Sequence, residues 1–153
     1  MAGEIEAKLK SMGIELPVTS PAGSYVPYTM AGQTLYISGQ IPLGPDGPQH
    51  IGRLGDGMSV EEGQQAARLC AVNILGQAKA ALGDLDRIVK VLKTQNFVHA
   101  TADFTGHPEV ANGASDFLVE VLGERGRHAR AAIGMSSLPR GVAVEVDAVI
   151  LFE

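Results

Sequence analysis

The chain has 153 residues, of which 45% are hydrophobic and 19% charged, and its formal net charge is −5. This length predicts one domain over residues 1–153, and the composition argues against a low-complexity or disordered chain beyond the termini. The acidic balance argues against a nucleic-acid partner, because such surfaces depend on clustered Lys and Arg.

Two further features of the sequence bear on where the protein resides. The single cysteine, Cys70, excludes an intramolecular disulfide. No apolar run approaches the ~20 residues that cross a bilayer, and the chain does not open on a secretory leader pattern. We therefore expect a cytoplasmic protein that does not enter a membrane.

The first third of the chain predicts a short helix, two strands and a long loop. Residues 3–12 form a polar segment that ends at a glycine, which is typical of a short N-terminal helical extension. Residues 25–30 and 34–41 are β-patterned on either side of a glycine-containing turn. The glycines and prolines of residues 42–58 predict a loop without regular structure.

Two amphipathic helices follow, separated by a strand. Ser59 and Glu62 have capping-box spacing ahead of apolar residues at three- and four-residue steps, so a helix is expected from Ser59 to Gly83. Cys70 lies on its apolar stripe and is expected in the core. Residues 88–99 are rich in β-branched side chains and predict a strand. A second helix is expected from Pro108 to Gly123.

The chain closes on two β-patterned segments, residues 131–137 and 142–152, with Arg130 just ahead of the first. In the second segment, Val142 and every second residue after it are apolar, whereas Glu145 and Asp147 lie on the other side. The element order predicts an α+β fold in which two helices cover one face of a four- to six-stranded mixed sheet. The half-acidic second face predicts cover by another subunit.

Other site motifs are not supported by the spacing of the residues. The four histidines (His50, His99, His107 and His128) lack metal-ligand spacing, and we expect no metal. The glycines at 52, 55 and 57 do not form a dinucleotide-binding motif, and we expect no cofactor.

The segments "YISGQIP", "HARAAIGMSSLP" and "VAVEVDAVI", together with the capped helix, resemble the YjgF/RidA superfamily of reactive intermediate imine deaminases, also labelled endoribonuclease L-PSP. The resemblance covers about residues 20–153. It implies a chorismate-mutase-like fold in which three subunits form a barrel from their sheets. It also implies ligand clefts between neighbouring subunits.

The resemblance implies catalytic roles for Arg130 and Glu145. Substrates of the family are small 2-imino acids and their 2-enamine tautomers, such as 2-aminoacrylate, which are hydrolysed to 2-keto acids and ammonia. The planar fork of Arg130 suits the substrate carboxylate. Glu145 corresponds to an acidic residue that could hold or activate the attacking water. The alternatives are a solvated or salt-bridged arginine, and a glutamate that only orients it.

Four further residues are implied to line the cleft. Tyr25 corresponds to a tyrosine that closes it, Ser38 to a serine at its border, and Asn112 to a helix asparagine that contacts ligand. Ala132 occupies a place where imine-active members often have a cysteine, and its backbone can still offer N–H or C=O. Without the resemblance, Tyr25 would be an interface or core ring and Ser38 a hydroxyl bonded to nearby backbone.

Three functions are compatible with these residues. The first is a metal-free imine/enamine deaminase whose partners are small 2-imino or 2-keto carboxylates. The second is a homotrimeric regulatory protein that binds a small carboxylate without catalysis. The third is an endoribonuclease, against which the acidic charge and the lack of a basic groove weigh.

Overall fold

The structure is a computed structural model that describes residues 3–18 and 23–153. Its long elements are three helices, α1 (Glu4–Ser11), α2 (Val60–Leu82) and α3 (His107–Leu122), and five strands, β1 (Tyr28–Ala31), β2 (Thr34–Gln40), β7 (Ile88–His99), β8 (Ala129–Met135) and β9 (Val144–Phe152). Between β2 and α2 lie four two-residue strands, β3 (Leu43–Gly44), β4 (Gly47–Pro48), β5 (Arg53–Leu54) and β6 (Gly57–Met58).

The five long strands form one mixed sheet in the order β1-β2-β9-β7-β8. Strands β7 and β8 are parallel, and the other neighbouring pairs are antiparallel. Helices α2 and α3 pack against each other and cover one face of this sheet. The predicted mixed α+β fold is therefore confirmed. Strands β1 and β8 are the two edges of the sheet.

Helix α2 begins and ends where the sequence predicts. The Glu62 backbone N–H donates to Ser59 Oγ at 3.1 Å, and the Ser59 N–H donates to Glu62 Oε2 at 2.9 Å, which completes the capping box. Gly83 ends the helix with a φ of 78°, in the left-handed region that favours glycine. Cys70 is fully buried on the core side, as predicted.

Strand β9 divides the sheet into a covered and an open face. Val144, Val146, Ala148 and Ile150 are buried beneath the helices, whereas the alternating residues from Glu145 to Leu151 are only half-buried. This alternation confirms the predicted two-sided character of the last strand. The face opposite the helices is called the open face below.

The structure corrects the predicted starts of two strands and the predicted loop. The first strand begins at Tyr28 and not at residue 25. Strand β8 begins two residues earlier than predicted, because Ala129 and Arg130 continue the parallel pairing with β7, so Arg130 lies inside the strand. Residues 42–58 are not free of regular structure, since they form the antiparallel pair β3–β4 and the parallel pair β5–β6, in which Gly47 and Gly57 adopt positive φ values.

The N-terminal helix α1 is anchored to the rest of the domain. Ile5 and Leu9 are buried in the core. The Asp86 carboxylate accepts hydrogen bonds from the backbone N–H groups of Glu4 (2.8 Å) and Ile5 (3.0 Å), and so satisfies donors at the start of the helix. Across residues 3–18 and 23–153, no helix combines the length and the hydropathy that a membrane span requires.

Candidate functional site

Arg130 lies on the edge strand β8 and points toward helix α3. Its Cα partner on β7 is Thr94, which is buried and pairs in turn with Ala148 on the covered face of β9. Residues paired across a sheet share a face, so the Arg130 side chain lies on the helix side. It is half-buried there.

Three hydrogen bonds hold the Arg130 guanidinium against α3. Nη1 donates to Asn112 Oδ1 at 2.9 Å and to Ser115 Oγ at 3.0 Å, and Nη2 donates to the Pro108 carbonyl at 3.1 Å. A guanidinium has five N–H donors. Within the part of the chain that the structure describes, the Nε–H and one Nη2 N–H therefore have no partner. These two donors remain for an anionic ligand.

The structure brings three of the sequence-predicted site residues to this edge of the sheet. Asn112 contacts Arg130 directly, although the two are eighteen residues apart. Ala132 follows Arg130 by two residues on β8 and so shares its face. Its Cα partner on β7 is Asn96, whose side-chain amide donates to the Ala131 carbonyl at 3.1 Å.

Sequence reasoning missed two members of this site, Ser115 and His128. Ser115 Oγ lies 3.0 Å from His128 Nε2, and His128 Nδ1 lies 2.6 Å from the Gly126 carbonyl. Burial lowers the pKa of His128, and the charges of Arg130 and Lys90 lower it further against an opposing hydrogen bond to Gly126. A neutral imidazole is therefore favoured at pH 7.

Two signals in the sequence could have found these residues. Ser115 follows Asn112 by three positions, which places both side chains on one face of a helix. His128 precedes Arg130 by two positions, which places both on one side of an extended segment. The second signal was hidden because the predicted strand began at residue 131. We call Arg130, Asn112, Ser115 and His128 the arginine cluster.

The arginine cluster lines an open groove of about 540 Å³ between α3 and the start of β8. The remaining wall residues include both acidic and basic side chains and one apolar one. They are Asp116, Val119, Glu120 and Arg127.

Glu145 lies on the open face, away from the arginine cluster of the same chain. Its Cα partner is Phe97 on β7, and both belong to the set of residues that the helices do not cover. Burial raises the pKa of the half-buried Glu145 carboxyl, and the nearby Asp147 charge raises it further. Because Arg130 faces the helices, one chain does not bring Arg130 and Glu145 together.

The Glu145 carboxylate lies beside an irregular point of β2. A Cβ on Gly39 would stand 2.7 Å from Glu145 Oε2, so a glycine at this position leaves room for the carboxylate. Gly39 and Ser38 occupy the register shift between Ile37 and Gln40 in the pairing of β2 with β9. We call Glu145, Gly39 and Ser38 the glutamate cluster.

Ser38 connects the glutamate cluster to the segment that contains Tyr25. Ser38 Oγ donates to the Val26 carbonyl at 2.8 Å, and the Ser38 N–H donates to the Pro27 carbonyl at 3.0 Å. The neighbouring Tyr25 side chain is 53% exposed. The predicted site residues therefore form two groups in one chain, with Tyr25, Ser38 and Glu145 apart from Arg130, Asn112 and Ala132.

The open face carries exposed apolar side chains beside its half-buried acids. Tyr36 on β2 is 47% exposed, and Ile133 and Met135 on the edge strand β8 are 47% and 37% exposed. Asp147 accepts the Gln95 backbone N–H at 3.1 Å, and burial raises the pKa of its carboxyl. Such a mixed surface is typical of an interface between subunits.

One acidic group elsewhere has the spacing of metal ligands. Carboxylate oxygens of Glu6, Asp84 and Asp86 lie within 4.8 Å of one another. The three carboxylates already accept hydrogen bonds from the backbone N–H groups of residues 4, 5, 85 and 86 and from Lys79. The carboxylates of this group thus stabilise the start of α1 and the turn before β7.

Comparison with known proteins finds a family and relatives that match most of the chain. The family described as "YjgF/chorismate_mutase-like, putative endoribonuclease" matches residues 6–147. Protein TCP17 of Trypanosoma cruzi is 48% identical, over 97% of this chain and 94% of its own. The 2-iminobutanoate/2-iminopropanoate deaminase of Mus musculus is 31% identical, over 88% of this chain and 87% of its own. A crystal structure of an endoribonuclease-labelled protein from Shewanella oneidensis superposes with a TM-score of 0.94 at 33% identity, covering 98% of this chain and 100% of that one.

Proposed function

The chain belongs to the YjgF/RidA family, and on that premise we propose that it hydrolyses small 2-imino and 2-enamino acids to 2-keto acids and ammonia. The observation that carries this proposal is the Arg130 guanidinium, which α3 fixes through three hydrogen bonds while two N–H donors remain. The similarity to a mammalian deaminase of 2-imino acids supports the same substrate class.

A fixed arginine suits the carboxylate of such a substrate. Guanidinium and carboxylate are both planar, and charge-assisted bonds between them are about twice as strong as neutral ones. Because Arg130 is half-buried, the pair would be less screened than on an open surface. In this proposal Arg130 holds the carboxylate, and Asn112 contacts the ligand from α3.

In this proposal Glu145 transfers protons from the attacking water to the substrate nitrogen. Burial raises the pKa of its carboxyl group toward neutral pH. This suits a group that must both accept and return a proton. Water adds to the imine carbon while Glu145 accepts a proton from it. This proton passes to the nitrogen and gives a carbinolamine. Glu145 then transfers the proton of the new hydroxyl to the same nitrogen, so the C–N bond breaks as the C=O bond forms and ammonia leaves.

This chemistry requires Arg130 and Glu145 from different subunits. Arg130 faces the helices at the β8 edge, whereas Glu145 lies on the open face beside β2. We propose a homotrimer in which the open faces form the inside of a barrel. The glutamate cluster of one subunit then approaches the arginine cluster of the next, and Tyr25 closes the cleft between them.

The test is hydrolysis of 2-aminoacrylate or 2-iminobutanoate generated in situ. Semicarbazide traps the imine, so an active protein lowers semicarbazone formation and releases ammonia. We expect turnover by the native chain and by Arg53→Ala, and a loss with Arg130→Ala. Arg53 is a matched control because it loses the same charge from an exposed pair with Asp56. Equal turnover in all three proteins would contradict the proposed role of Arg130.

Two further measurements, together with this assay, separate the deaminase from the other two functions. A regulatory protein would bind 2-ketobutyrate without releasing ammonia. An endoribonuclease would cleave RNA at a constant specific activity through successive purification steps. The family description favours testing RNA, although the net charge of −5 does not.

A further inference from the structure

Ser115 and His128 connect Arg130 to the backbone at Gly126 through a chain of three hydrogen bonds. Arg130 Nη1 lies 3.0 Å from Ser115 Oγ, Ser115 Oγ lies 3.0 Å from His128 Nε2, and His128 Nδ1 lies 2.6 Å from the Gly126 carbonyl. The chain spans helix α3, the start of β8 and the turn before β8. None of its links depends on another subunit.

The chemistry of the end groups fixes the direction of every bond. A carbonyl only accepts, so His128 Nδ1 carries a hydrogen and donates to Gly126. In the neutral ring Nε2 is then an acceptor, and it accepts the Ser115 hydroxyl hydrogen. Ser115 Oγ in turn accepts from Arg130 Nη1, because a guanidinium only donates. Each donor thus meets one acceptor, and the serine hydroxyl cannot rotate away without losing a bond.

The charges around His128 favour the neutral form that this chain requires. Arg130 and Lys90 oppose a second positive charge, and His128 is half-buried. The other titratable side chains along the groove are Asp116, Glu120 and Arg127. Glu120 is paired with Arg68 at 3.4 Å and Arg127 with Glu124 at 3.2 Å.

We propose that Ser115 and His128 are positioning residues for Arg130, which orient its guanidinium for a carboxylate ligand. This inference rests on the proposed function of Arg130. With Asn112 and Ser115 each accepting from Nη1, both N–H groups of that nitrogen are occupied. The plane of the guanidinium is then fixed, and Nε–H with one Nη2 N–H is presented to the ligand. Loss of either positioning residue lets the fork rotate and weakens bidentate binding.

We call the three hydrogen bonds that connect Arg130 to Gly126 through Ser115 and His128 the relay. The experiment compares two variants that break the relay with one that conserves it. Ser115→Ala removes the central hydroxyl, and His128→Phe keeps a ring without donor or acceptor. His128→Gln keeps an acceptor for Ser115 and a donor for Gly126. The probe is 2-ketobutyrate binding measured by calorimetry, with KM and kcat for imine hydrolysis and the thermal midpoint of each variant.

We expect Ser115→Ala and His128→Phe to raise the Kd for 2-ketobutyrate and the KM by about 2- to 10-fold, the effect of one hydrogen bond. The kcat should change less than KM, and His128→Gln should restore binding to within about 2-fold of the native chain. A purely structural role would lower the thermal midpoint and leave KM unchanged, which would overturn the inference.

Arg130→Ala separates failure of this inference from failure of the proposed function. If Arg130→Ala abolishes binding while both relay-breaking variants bind as the native chain does, the positioning role is wrong and the carboxylate site stands. If Arg130→Ala also binds 2-ketobutyrate normally, the proposed function of Arg130 is wrong, and the positioning role falls with it.

Discussion

Arg130 uses three of its five donors within its own chain, so two donors remain for a carboxylate ligand. Replacing Arg130 by alanine or by lysine should therefore affect catalysis differently. Arg130→Ala should lower kcat/KM by roughly 10- to 100-fold, since a charge-assisted bond is worth about 1.5 to 3 kcal/mol. Arg130→Lys keeps the charge but loses the bidentate fork, so it should recover only part of this loss. Steady-state kinetics at several substrate concentrations measures both. Native values of kcat/KM in the lysine variant would show that charge alone suffices.

Glu145 predicts a dependence of stability on pH. Its folded-state pKa is raised above 4.5, so the folded chain retains a proton that the unfolded chain has already released. The stability that this retained proton contributes is fully present below pH 4.5 and is lost as the pH rises through the folded-state pKa of Glu145. Glu145→Gln should therefore be more stable than the native chain at pH 7 and should vary less with pH. Urea unfolding from pH 4 to 8 tests this, with Asp147→Asn as the matched variant.

At the residue scale, the sequence predicted half of the arginine cluster. The resemblance to the family identified Arg130 and Asn112, which the structure joins by a hydrogen bond. It did not identify Ser115 and His128, because their contact depends on the register of β8 against α3. The resemblance also implied catalytic roles for both Arg130 and Glu145, but within one chain they lie on opposite faces of the sheet.

The helices set the position of the arginine cluster, and Gly113 sets how closely they pack. A Cβ on Gly113 would meet the backbone of Gln64 on α2, so Gly113→Ala must push α3 away. Alanine favours a helix by about 1 kcal/mol over glycine, but overpacking costs about 1 to 3 kcal/mol. We expect net destabilisation and a higher KM, because Asn112 moves with α3.

Gly63→Ala is the control for this prediction. Its Cβ would meet only the side-chain methyl groups of Val110 and Leu54, at 3.1 Å and 3.2 Å, and methyl groups can shift. Urea denaturation of both variants should give a smaller loss for Gly63→Ala. A Gly113→Ala chain as stable as the native one would show that the two helices are not in close contact there.

At the scale of secondary-structure elements, the sequence predicted the boundaries that depend only on neighbouring residues. The capping box at Ser59 and the stop at Gly83 define α2 without help from the rest of the chain. The start of β8 was misplaced because Ala129 and Arg130 are strand residues only when β7 lies beside them. The strand pairs within residues 42–58 depend on positive φ at glycine, which a sequence pattern does not reveal.

For the whole molecule, the open face predicts self-association. It carries the exposed side chains of Tyr36, Ile133 and Met135. It also carries Glu145 and Asp147, whose carboxyl pKa values are raised by burial. We expect a trimer of about three times 16.0 kDa at micromolar concentration. Ile133→Lys should dissociate it, whereas Val18→Lys, at a residue 95% exposed, should not. Sedimentation velocity measures the mass, and a stable native monomer would contradict the assembly.

The central claim is that Arg130 and Glu145 act in one site although they come from different subunits. Mixed trimers of Arg130→Ala and Glu145→Gln chains, refolded together in equal amounts, test it most directly. If sites form between subunits, about one quarter of them contain both native residues, and we predict about one quarter of native imine hydrolysis. Activity no higher than that of the two separate variants, in trimers shown to be mixed, would contradict the claim.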